Sequence, residues 1–197
     1  MSKSTMIKEM KEYAAINDVP IMQDEGIEFL TNIIVKNHIT TILEVGTAIG
    51  YSAIMMALIN PNIKVVSIER DEARYIEAVK NVKKFELEDR ITLIFKDALD
   101  VNLKDKFDLI FLDGAKGQNI NFFEKFEKNL NDDGFIVTDN INFHGFVKKD
   151  ESEIKSRNLR GLVRKIKDYI NYLKSSIKYE TTFYEKGDGI SVTRRKR

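Results

Sequence analysis

Short apolar runs alternate along the chain with longer segments in which apolar residues recur every three or four positions. The short runs are rich in β-branched and aliphatic residues, as buried strands are, whereas the longer segments have the period of amphipathic helices. None of the first five short runs shows a strict alternation of apolar and polar residues, which is typical of parallel strands buried on both faces. This order of elements predicts an α/β fold built on a mostly parallel sheet.

The pattern predicts seven strands and six helices. The strands are expected at residues 41–45, 64–69, 91–95, 107–112, 134–138, 177–184 and 189–194. The helices are expected at residues 5–17, 24–36, 52–59, 72–85, 119–130 and 159–173. The residue before Pro20 avoids the helical region, so 18–22 is predicted to be an extended link. The last two strands are separated by a short turn and predict an antiparallel hairpin at the edge of the sheet.

The first predicted strand ends in a turn that contains Gly46 and Gly50 and continues as an apolar helix. A strand, a glycine-rich turn and a helix in succession bring backbone N–H groups and a helix N-terminus close to a ligand. The G-x-x-x-G spacing differs from the G-x-G-x-x-G of most dinucleotide sites. Glu44, before the first glycine, suits a nucleoside-binding turn that contacts a ribose or amino-acid group. The alternative is that both glycines only serve a tight turn.

Acidic residues stand at the carboxyl ends of four predicted strands: Glu69, Asp97, Asp113 and Asp139. Ligands of doubly wound sheets bind outside these strand ends, near the point where the strand order reverses. One such acid alone would more often be a helix cap, but four delivered by separate strands predict a functional crevice. Glu69 is placed to accept the hydroxyls of a ribose. Asp97 and Ala98 are expected to border an adenine.

A second group of polar residues predicts a metal site. Asp113, Asp139 and Asn140 offer two carboxylates and an amide oxygen, which are hard ligands suited to Mg²⁺. Lys116, three residues after Asp113, would place an ammonium group beside a reacting oxygen. For a single lysine, a solvated position at the start of a helix is the commoner case.

Composition limits the class of protein. The chain has 197 residues, enough for one domain, 1–197, and we see no repeat or linker that would divide it. It has 32 Lys and Arg against 31 Asp and Glu, so a surface that binds nucleic acid must be local. It contains no cysteine, which excludes disulfides and a Cys nucleophile and indicates a cytoplasmic location. No apolar run approaches the ~18 residues of a membrane helix, and the N-terminus lacks the apolar core of a signal peptide.

Basic residues are concentrated near the C-terminus. Between residues 155 and 174 there are seven basic side chains and one acid. On the predicted helix, Leu159, Leu162, Val163, Ile166, Ile170 and Leu173 form an apolar stripe, and the basic residues fall on another face. The chain also ends in four consecutive cations. These clusters are candidates for RNA binding, with a solvated surface as the alternative. The candidate residues are Arg157, Arg160, Arg164, Lys167, Arg194 and Arg195.

Taken together, these motifs resemble the cation-dependent, catechol-type O-methyltransferases, which use S-adenosylmethionine. The matching segments are VPIM at 19–22, LEVGTAIGYS at 43–52, IER at 68–70, DA at 97–98, LDGAKG at 112–117 and TDN at 138–140. The resemblance implies a Rossmann-like class I methyltransferase fold, with the N-terminal helices of residues 1–40 covering the cofactor site. It implies that Met22, Ser52, Glu69, Asp97, Ala98 and Asp113 bind S-adenosylmethionine, beside Glu44 and Gly46 of the turn.

The same resemblance assigns chemistry to the other polar group. Asp113, Asp139 and Asn140 would hold Mg²⁺, and Lys116 matches the lysine that small-molecule relatives use as a base, so Lys116 and Asp113 are the catalytic candidates. His38 and His144 match no catalytic position and are expected to be ordinary surface residues. The chain departs from the family at Asn142 and Gly114, and its N-terminus is shorter than usual.

Within this family the chain is most similar to the bacterial tRNA 5-hydroxyuridine methyltransferases. The features are KGQ at 116–118 followed by NFF at 121–123, F-x-G-x-V at 143–147, the Arg-rich helix from Arg157 and the basic C-terminus. They imply that tRNA is a partner and that the enzyme is a homodimer. The alternative is a small-molecule catechol or caffeoyl-CoA-like O-methyltransferase. A non-catalytic nucleoside-binding protein is disfavoured, because it would not need the metal ligands.

Overall fold

Six helices and seven strands follow one another in the computed structural model, which describes residues 2–197. The helices are α1 (Lys3–Ile16), α2 (Asp24–Lys36), α3 (Tyr51–Leu58), α4 (Glu72–Lys84), α5 (Asn119–Phe126) and α6 (Arg157–Lys174). The strands are β1 (Thr41–Val45), β2 (Lys64–Glu69), β3 (Ile91–Phe95), β4 (Phe107–Leu112), β5 (Leu130–Thr138), β6 (Tyr179–Tyr184) and β7 (Ile190–Arg195). Among residues 2–197, no helix is both long enough and apolar enough to span a membrane.

All seven strands form one sheet in the order β3-β2-β1-β4-β5-β7-β6. The first five strands are parallel, and β7 runs antiparallel to both β5 and β6. The strand order reverses at β1, which lies between β2 and β4. This topology confirms the predicted doubly wound sheet with an antiparallel hairpin at one edge. It also places a ligand crevice beyond the carboxyl ends of β1, β2 and β4.

The central strands are mostly apolar because both faces of the sheet are covered. Successive side chains of a strand point to opposite faces. Ile42 and Phe111 lie in a core shared with the first four helices, whereas Leu43 and Leu112 lie in a second core with α5 and α6. The register pairs Val45 with Leu112, and Leu112 with Thr138. The residues that follow these strand ends therefore emerge side by side.

The structure corrects the predicted boundary between α5 and β5. The helix expected to reach residue 130 ends at Phe126, and the strand expected from residue 134 already starts at Leu130. A short 3₁₀ turn lies between them, in which the Asn129 side chain donates to the carbonyls of Leu103 and Asp105, at 3.1 and 2.8 Å. These contacts are distant in sequence, so the local pattern could not indicate where the helix ends.

The C-terminal elements differ from the prediction by smaller amounts. Helix α6 begins two residues earlier than expected because Ser156 caps it, accepting a hydrogen bond from the Leu159 N–H. Its buried residues include Tyr169, which the predicted stripe omitted, and the Tyr169 hydroxyl lies 2.7 Å from that of Thr138. Strand β6 starts two residues later than expected, after the exposed Ile177.

Candidate active site

The turn after β1 packs directly on the end of β4. Gly46 has a φ of +101°, and a Cβ at this position would lie 2.5 Å from the carbonyl oxygen of Asp113. Gly50, with a φ of +84°, starts helix α3. Both conformations favour glycine, and Gly46 also lets two strand ends approach closely. The glycines thus serve a tight turn, and that turn lies at the predicted crevice.

Glu69 ties this turn to the end of β2. Its carboxylate accepts hydrogen bonds from the N–H groups of Ala48, Arg70 and Asp71, at 2.8, 2.9 and 2.8 Å. A carboxylate offers about four acceptor positions. Three are used by the backbone, so about one remains for a ligand. That is fewer than the two hydroxyls of a ribose would occupy, and Glu69 also acts by shaping the turn.

Glu44 and Ser52 lie behind the turn rather than on the cleft wall. Glu44 is fully buried, and its carboxylate accepts hydrogen bonds from the hydroxyls of Ser52 and Ser67. Burial raises the pKa of Glu44 to about 7. In this arrangement, the hydrogen bonds of Glu44 hold the turn from behind, and the direct contacts predicted between these two residues and the cofactor stay a prediction.

The other predicted site residues converge on one open cleft of about 450 Å³. The predicted residues on its wall are Met22, Gly46, Glu69, Asp97, Ala98, Asp113, Lys116, Asp139 and Asn140. The link before α2 contributes residues 20–23 to the cleft wall. Of the N-terminal region, residues 2–40, only this link lines the cleft. The wall also includes residues to which the sequence assigned no role of their own, namely Pro20, Ile21, Gln23, Arg70, Arg74, Lys96, Phe122 and Asp188.

Asp97 lies at the adenine end predicted for this cleft. Its side chain accepts hydrogen bonds from the N–H of Leu99 at 2.9 Å and from the guanidinium of Arg70 at 3.2 Å. The Leu99 N–H, and then Arg70, lower the pKa of this carboxyl. Asp97 therefore carries a negative charge at neutral pH.

Asp113 and Asp139 form a pair of crowded carboxyls at the bottom of the cleft. Burial raises the pKa of both, and the neighbouring charge of Asp139 raises that of Asp113 further. The pKa of Asp139 rises to about 6. Within residues 2–197, Asp139 Oδ1 is buried without a hydrogen-bond partner. The two carboxylates repel one another, and one has an oxygen without a partner. A bound cation would reduce this repulsion and fill the free acceptor position.

Asn140 completes this group. Its side-chain amide donates to Asp113 Oδ1 at 2.9 Å, and its φ of 62° places it in the left-handed region that asparagine tolerates. In the described part of the chain, no three His, Cys, Asp or Glu side chains are arranged as metal ligands. A cation held by the two aspartates would therefore take the amide oxygen as its third protein ligand. These oxygen donors fit Mg²⁺.

Lys116 stands on the cleft wall next to this acidic pair. It begins a 3₁₀ turn, and its Nζ lies 5.9 Å from the centre of the Phe143 ring. Its positive charge acts to lower the pKa of both Asp113 and Asp139. The lysine therefore faces the site and is not simply a solvated helix-start residue.

The two histidines differ in position. His38 is exposed and lies away from the cleft, as expected. His144 is also exposed, with 65% of its side chain accessible, but it lies on the cleft wall, which corrects its interpretation as an ordinary surface residue. Its backbone N–H donates to Asp188, an acid that sequence reasoning missed. The sequence signal was an aspartate between Gly187 and Gly189 in the hairpin turn.

The α6 basic face, defined by Arg157, Arg160, Arg164 and Lys167, is largely engaged within the protein. Arg160 donates to the carbonyls of residues 154 and 155, Arg164 forms a two-pronged ion pair with Glu151, and Lys167 donates to the carbonyl of residue 149. Arg157 is exposed, and residues 2–197 supply it with no ion-pair partner. Three of these four side chains thus order the segment before α6.

The C-terminal basic cluster lies toward the end of the sheet that is away from the cleft. Because β7 runs antiparallel to β5, Ser191 pairs with Thr138 near the cleft while Arg194 pairs with Phe135 farther down. Three residues of strand correspond to about 10 Å. Arg194 forms an ion pair with Glu180, and the Arg195 guanidinium lies 3.8 Å from the Asp132 carboxylate. The two basic clusters therefore do not form one surface at the mouth of the cleft.

The doubly wound sheet with its antiparallel edge, and the cleft at the glycine turn, define a class I methyltransferase. The O-methyltransferase family matches residues 1–196, and the chain belongs to this family. A crystal structure from Staphylococcus aureus, provisionally assigned as a caffeoyl-CoA O-methyltransferase, is 35% identical, with a TM-score of 0.92 over 100% of this chain and 93% of that one.

More distant relatives agree with this assignment. The caffeoyl-CoA O-methyltransferase of Populus kitakamiensis is 27% identical over 94% of this chain and 82% of its own length. The fold is also shared with an O-methyltransferase from Bacillus cereus solved with SAH, at 23% identity and a TM-score of 0.84 over 100% of this chain and 93% of that one.

Proposed function

We propose that this O-methyltransferase transfers a methyl group from S-adenosylmethionine to the 5-hydroxyl of 5-hydroxyuridine in tRNA, at the anticodon wobble position, giving 5-methoxyuridine. We further propose that the reaction requires Mg²⁺. The observation that carries the proposal is the crowded pair of Asp113 and Asp139, with an unpaired oxygen, at the bottom of a cleft bounded by the glycine turn. The tRNA specificity rests on the similarity of 116–123 and 143–147 to that family.

The chemistry assigned to the cleft is a simple displacement. The methyl group leaves the sulfonium sulfur as its S–C bond breaks, an O–C bond forms to the acceptor oxygen, and the hydroxyl proton passes to solvent water. Mg²⁺ held by Asp113, Asp139 and Asn140 would lower the pKa of the acceptor hydroxyl and orient it. The 5-hydroxyl and 4-carbonyl of 5-hydroxyuridine offer two neighbouring oxygens for this purpose.

The side chains of the cleft would act mainly by positioning the reactants. The turn held by Glu69 would fix the donor, and Met22, which also lines the cleft, would limit access of water. The ammonium of Lys116 would stabilise negative charge on the acceptor oxygen as its proton leaves. Holding donor and acceptor in line supplies much of the rate enhancement in such reactions.

The mouth of the cleft offers cations for RNA phosphates. Helix α6 packs against the turn that starts with Lys116, so closely that a Cβ on Gly117 would lie 3.2 Å from Lys165 Cδ. Lys165 and Arg157 are exposed, and neither forms an ion pair with any of residues 2–197. Because Arg160 and Arg164 are engaged within the protein, Lys165 and Arg157 are better able to contact phosphates. A tRNA that also reached Arg194 and Arg195 would have to extend along the β6–β7 edge.

A second candidate function is methylation of a small catechol. It is favoured by the relatives, which include the caffeoyl-CoA enzyme of Populus and a flavonoid 3',5'-methyltransferase of Vitis vinifera, 28% identical to this chain. A catechol also presents two adjacent oxygens and would need the same metal ligands. The two candidates differ in the size of the acceptor and not in the proposed chemistry.

Labelled S-adenosylmethionine will separate these candidates. We expect tRNA that carries 5-hydroxyuridine to accept label with Mg²⁺, and tRNA lacking this nucleoside to remain unlabelled. Caffeoyl-CoA and catechol are expected to accept label at least about tenfold more slowly at equal concentration. Excess EDTA, or the Asp139→Asn substitution, should abolish transfer. Faster labelling of the catechol would favour the second candidate, and full activity in EDTA would exclude the proposed metal site.

A further inference from the structure

The segment that begins at the metal candidate Asn140 has an unusual number of residues with positive φ. Four of its six residues, from 140 to 145, have positive φ: Asn140 (62°), Phe143 (46°), His144 (53°) and Gly145 (77°). For residues other than glycine and asparagine, such a conformation is rare and strained. Conformations of this kind persist only where surrounding contacts hold them. We call residues 140–145 the site loop.

The contacts that hold the site loop come from the turn between β6 and β7. The N–H of Ile141 donates to the carbonyl of Gly189 at 3.0 Å, and the N–H of Asn142 donates to the carbonyl of Asp188 at 2.9 Å. The N–H of His144 donates to the Asp188 side chain. A Cβ on Gly189 would lie 2.8 Å from Asn142 Cβ, so only glycine permits this approach. We call residues 185–189 the hairpin turn.

The hairpin turn is anchored on its other side to helix α2. The Glu25 carboxylate accepts hydrogen bonds from Lys186 Nζ and from the N–H of Gly187, both at 3.0 Å. Glu25 lies in the first turn of α2, two residues after the cleft-wall residue Gln23. The hairpin turn therefore connects the wall that would cover the cofactor with the loop that begins at Asn140.

Asp188 is the one side chain of the hairpin turn that is both buried and on the cleft wall. It is 6% exposed, and its Oδ2, which lies 3.7 Å from His144 Nδ1, has no hydrogen-bond partner in residues 2–197. Glu185, in the same turn, points outward and pairs with Lys148. The sequence delivers Asp188 from the start of an antiparallel strand, not from the end of a parallel one.

We propose that Asp188 is a positioning residue, which holds the site loop so that Asn140 and Phe143 face the acceptor. It acts through the backbone and does not itself ligate the metal. The effect of Asp188 on metal binding and catalysis rests on the proposed function. Its effect on the backbone of the site loop does not. If Asp188 is lost, the backbone of the loop should relax and the Asn140 amide should leave its place beside Asp113.

Three variants test this role. Asp188→Ala removes the acceptor for the His144 N–H. Asp188→Asn keeps an acceptor oxygen at the same position but removes the charge. Glu185→Ala is the matched control, because it removes one carboxylate from the same turn at an exposed position. Each is examined by hydrogen–deuterium exchange of the site loop without metal, by calorimetric titration with Mn²⁺ and by titration with S-adenosylhomocysteine.

For Asp188→Ala we expect the site-loop amides to exchange at least about tenfold faster, Mn²⁺ to bind about tenfold more weakly, and S-adenosylhomocysteine affinity to stay within about twofold. Asp188→Asn and Glu185→Ala should keep wild-type exchange and Mn²⁺ affinity within about threefold. Unchanged exchange in Asp188→Ala would overturn the proposal. If Asp188→Asn keeps a protected loop but binds Mn²⁺ weakly, the proposal is also overturned. The charge of Asp188, and not its hold on the loop, would then support metal binding. If Asp188→Ala does not fold, Asp188→Leu takes its place with the same expectations, because it keeps the side-chain volume at this buried position but offers no acceptor to the His144 N–H.

The exchange measurement separates this inference from the proposed function. If the loop loosens in Asp188→Ala but the wild-type protein binds no Mn²⁺, the positioning role stands and the metal proposal fails. If the wild type binds Mn²⁺ and the loop of Asp188→Ala remains protected, the metal proposal stands and the role of Asp188 fails.

Discussion

The acids at the strand ends differ in how much of their hydrogen-bonding capacity the protein itself uses. Glu69 accepts three backbone N–H groups, whereas Asp139 keeps a buried oxygen without a partner in the described chain. Glu69 therefore stabilises the glycine turn before any ligand arrives, and Asp139 is available to a cation. Their positions in the sequence are equivalent, so this division depends on the tertiary contacts of each residue.

Replacing Glu69 by alanine should weaken cofactor binding. The variant loses three charge-assisted hydrogen bonds that shape the turn, together with the remaining acceptor position. We expect the Kd for S-adenosylhomocysteine to rise at least about tenfold, equivalent to about 1.4 kcal/mol. Calorimetry would measure this, with Glu72→Ala as a control for an exposed acid in the next helix. An unchanged Kd would mean that Glu69 is dispensable for both turn and ligand.

The buried Glu44 should make stability depend on pH. Burial raises its pKa to about 7, above the value it has when unfolded, so the folded state retains a proton that the unfolded chain releases. This contribution to stability is complete below the unfolded pKa and is lost as pH rises through the folded pKa, about 7. Wild type should therefore lose stability between pH 5.5 and 8.5 relative to Glu44→Gln, which carries no titratable group there.

The expected relative loss is on the order of 2 kcal/mol, since one pKa unit corresponds to about 1.4 kcal/mol. In a domain of this size that is a relative shift of about 4–8 °C in Tm. Thermal unfolding of both proteins in EDTA at the two pH values would measure it, with Glu72→Gln as the exposed control. A difference in Tm that does not vary with pH would mean that Glu44 is already charged at pH 5.5.

Among the elements, helix α6 illustrates how a basic face can be mostly structural. Its arginines at 160 and 164 hold the segment at 151–155, which has no periodic pattern and gave no predicted element. These contacts could not be foreseen, because the position of Glu151 beside Arg164 depends on how this irregular segment folds back onto the helix that follows it. Among the cations of α6, Arg157 and Lys165 are exposed and form no ion pair with residues 2–197.

Neutralising Arg157 and Lys165 together should weaken tRNA binding and reduce its salt dependence. Each lost phosphate contact lowers the log–log slope by about 0.7–0.9, so we expect a decrease of about 1.4–1.8. Fluorescence anisotropy at several salt concentrations would measure the slope. The double variant Lys80→Ala/Lys83→Ala on α4 is the matched control and should keep the wild-type slope.

A third pair, Arg194→Ala/Arg195→Ala, tests the C-terminal cluster. Because that cluster lies farther from the cleft along β7, we expect it to change the slope less than the α6 pair does. If the α6 pair binds tRNA with the wild-type slope, the small-molecule function would be favoured instead.

Across the whole molecule, the parts that could be predicted are those set by local pattern and by the rule for parallel sheets. Strands β1 to β4 have the predicted bounds, and the acids that follow parallel strands meet in one cleft. Asp188 was not predicted because it precedes β7, which is antiparallel to β5. In such a strand the start, and not the end, lies at the cleft. The end of α5 was missed because Asn129 bonds residues more than twenty positions away.

The return of β7 away from the cleft has a practical consequence. The last residues lie at the end of the sheet that is away from the cleft. There the N–H of Lys196 donates to the carbonyl of Lys178, and Arg197 lies 3.6 Å from Asp133. A sensor surface or affinity resin coupled through the C-terminus would thus leave the cleft facing bulk solvent. A folded tRNA could then dock on the immobilised enzyme without steric hindrance, and binding kinetics could be recorded with the protein as the fixed component.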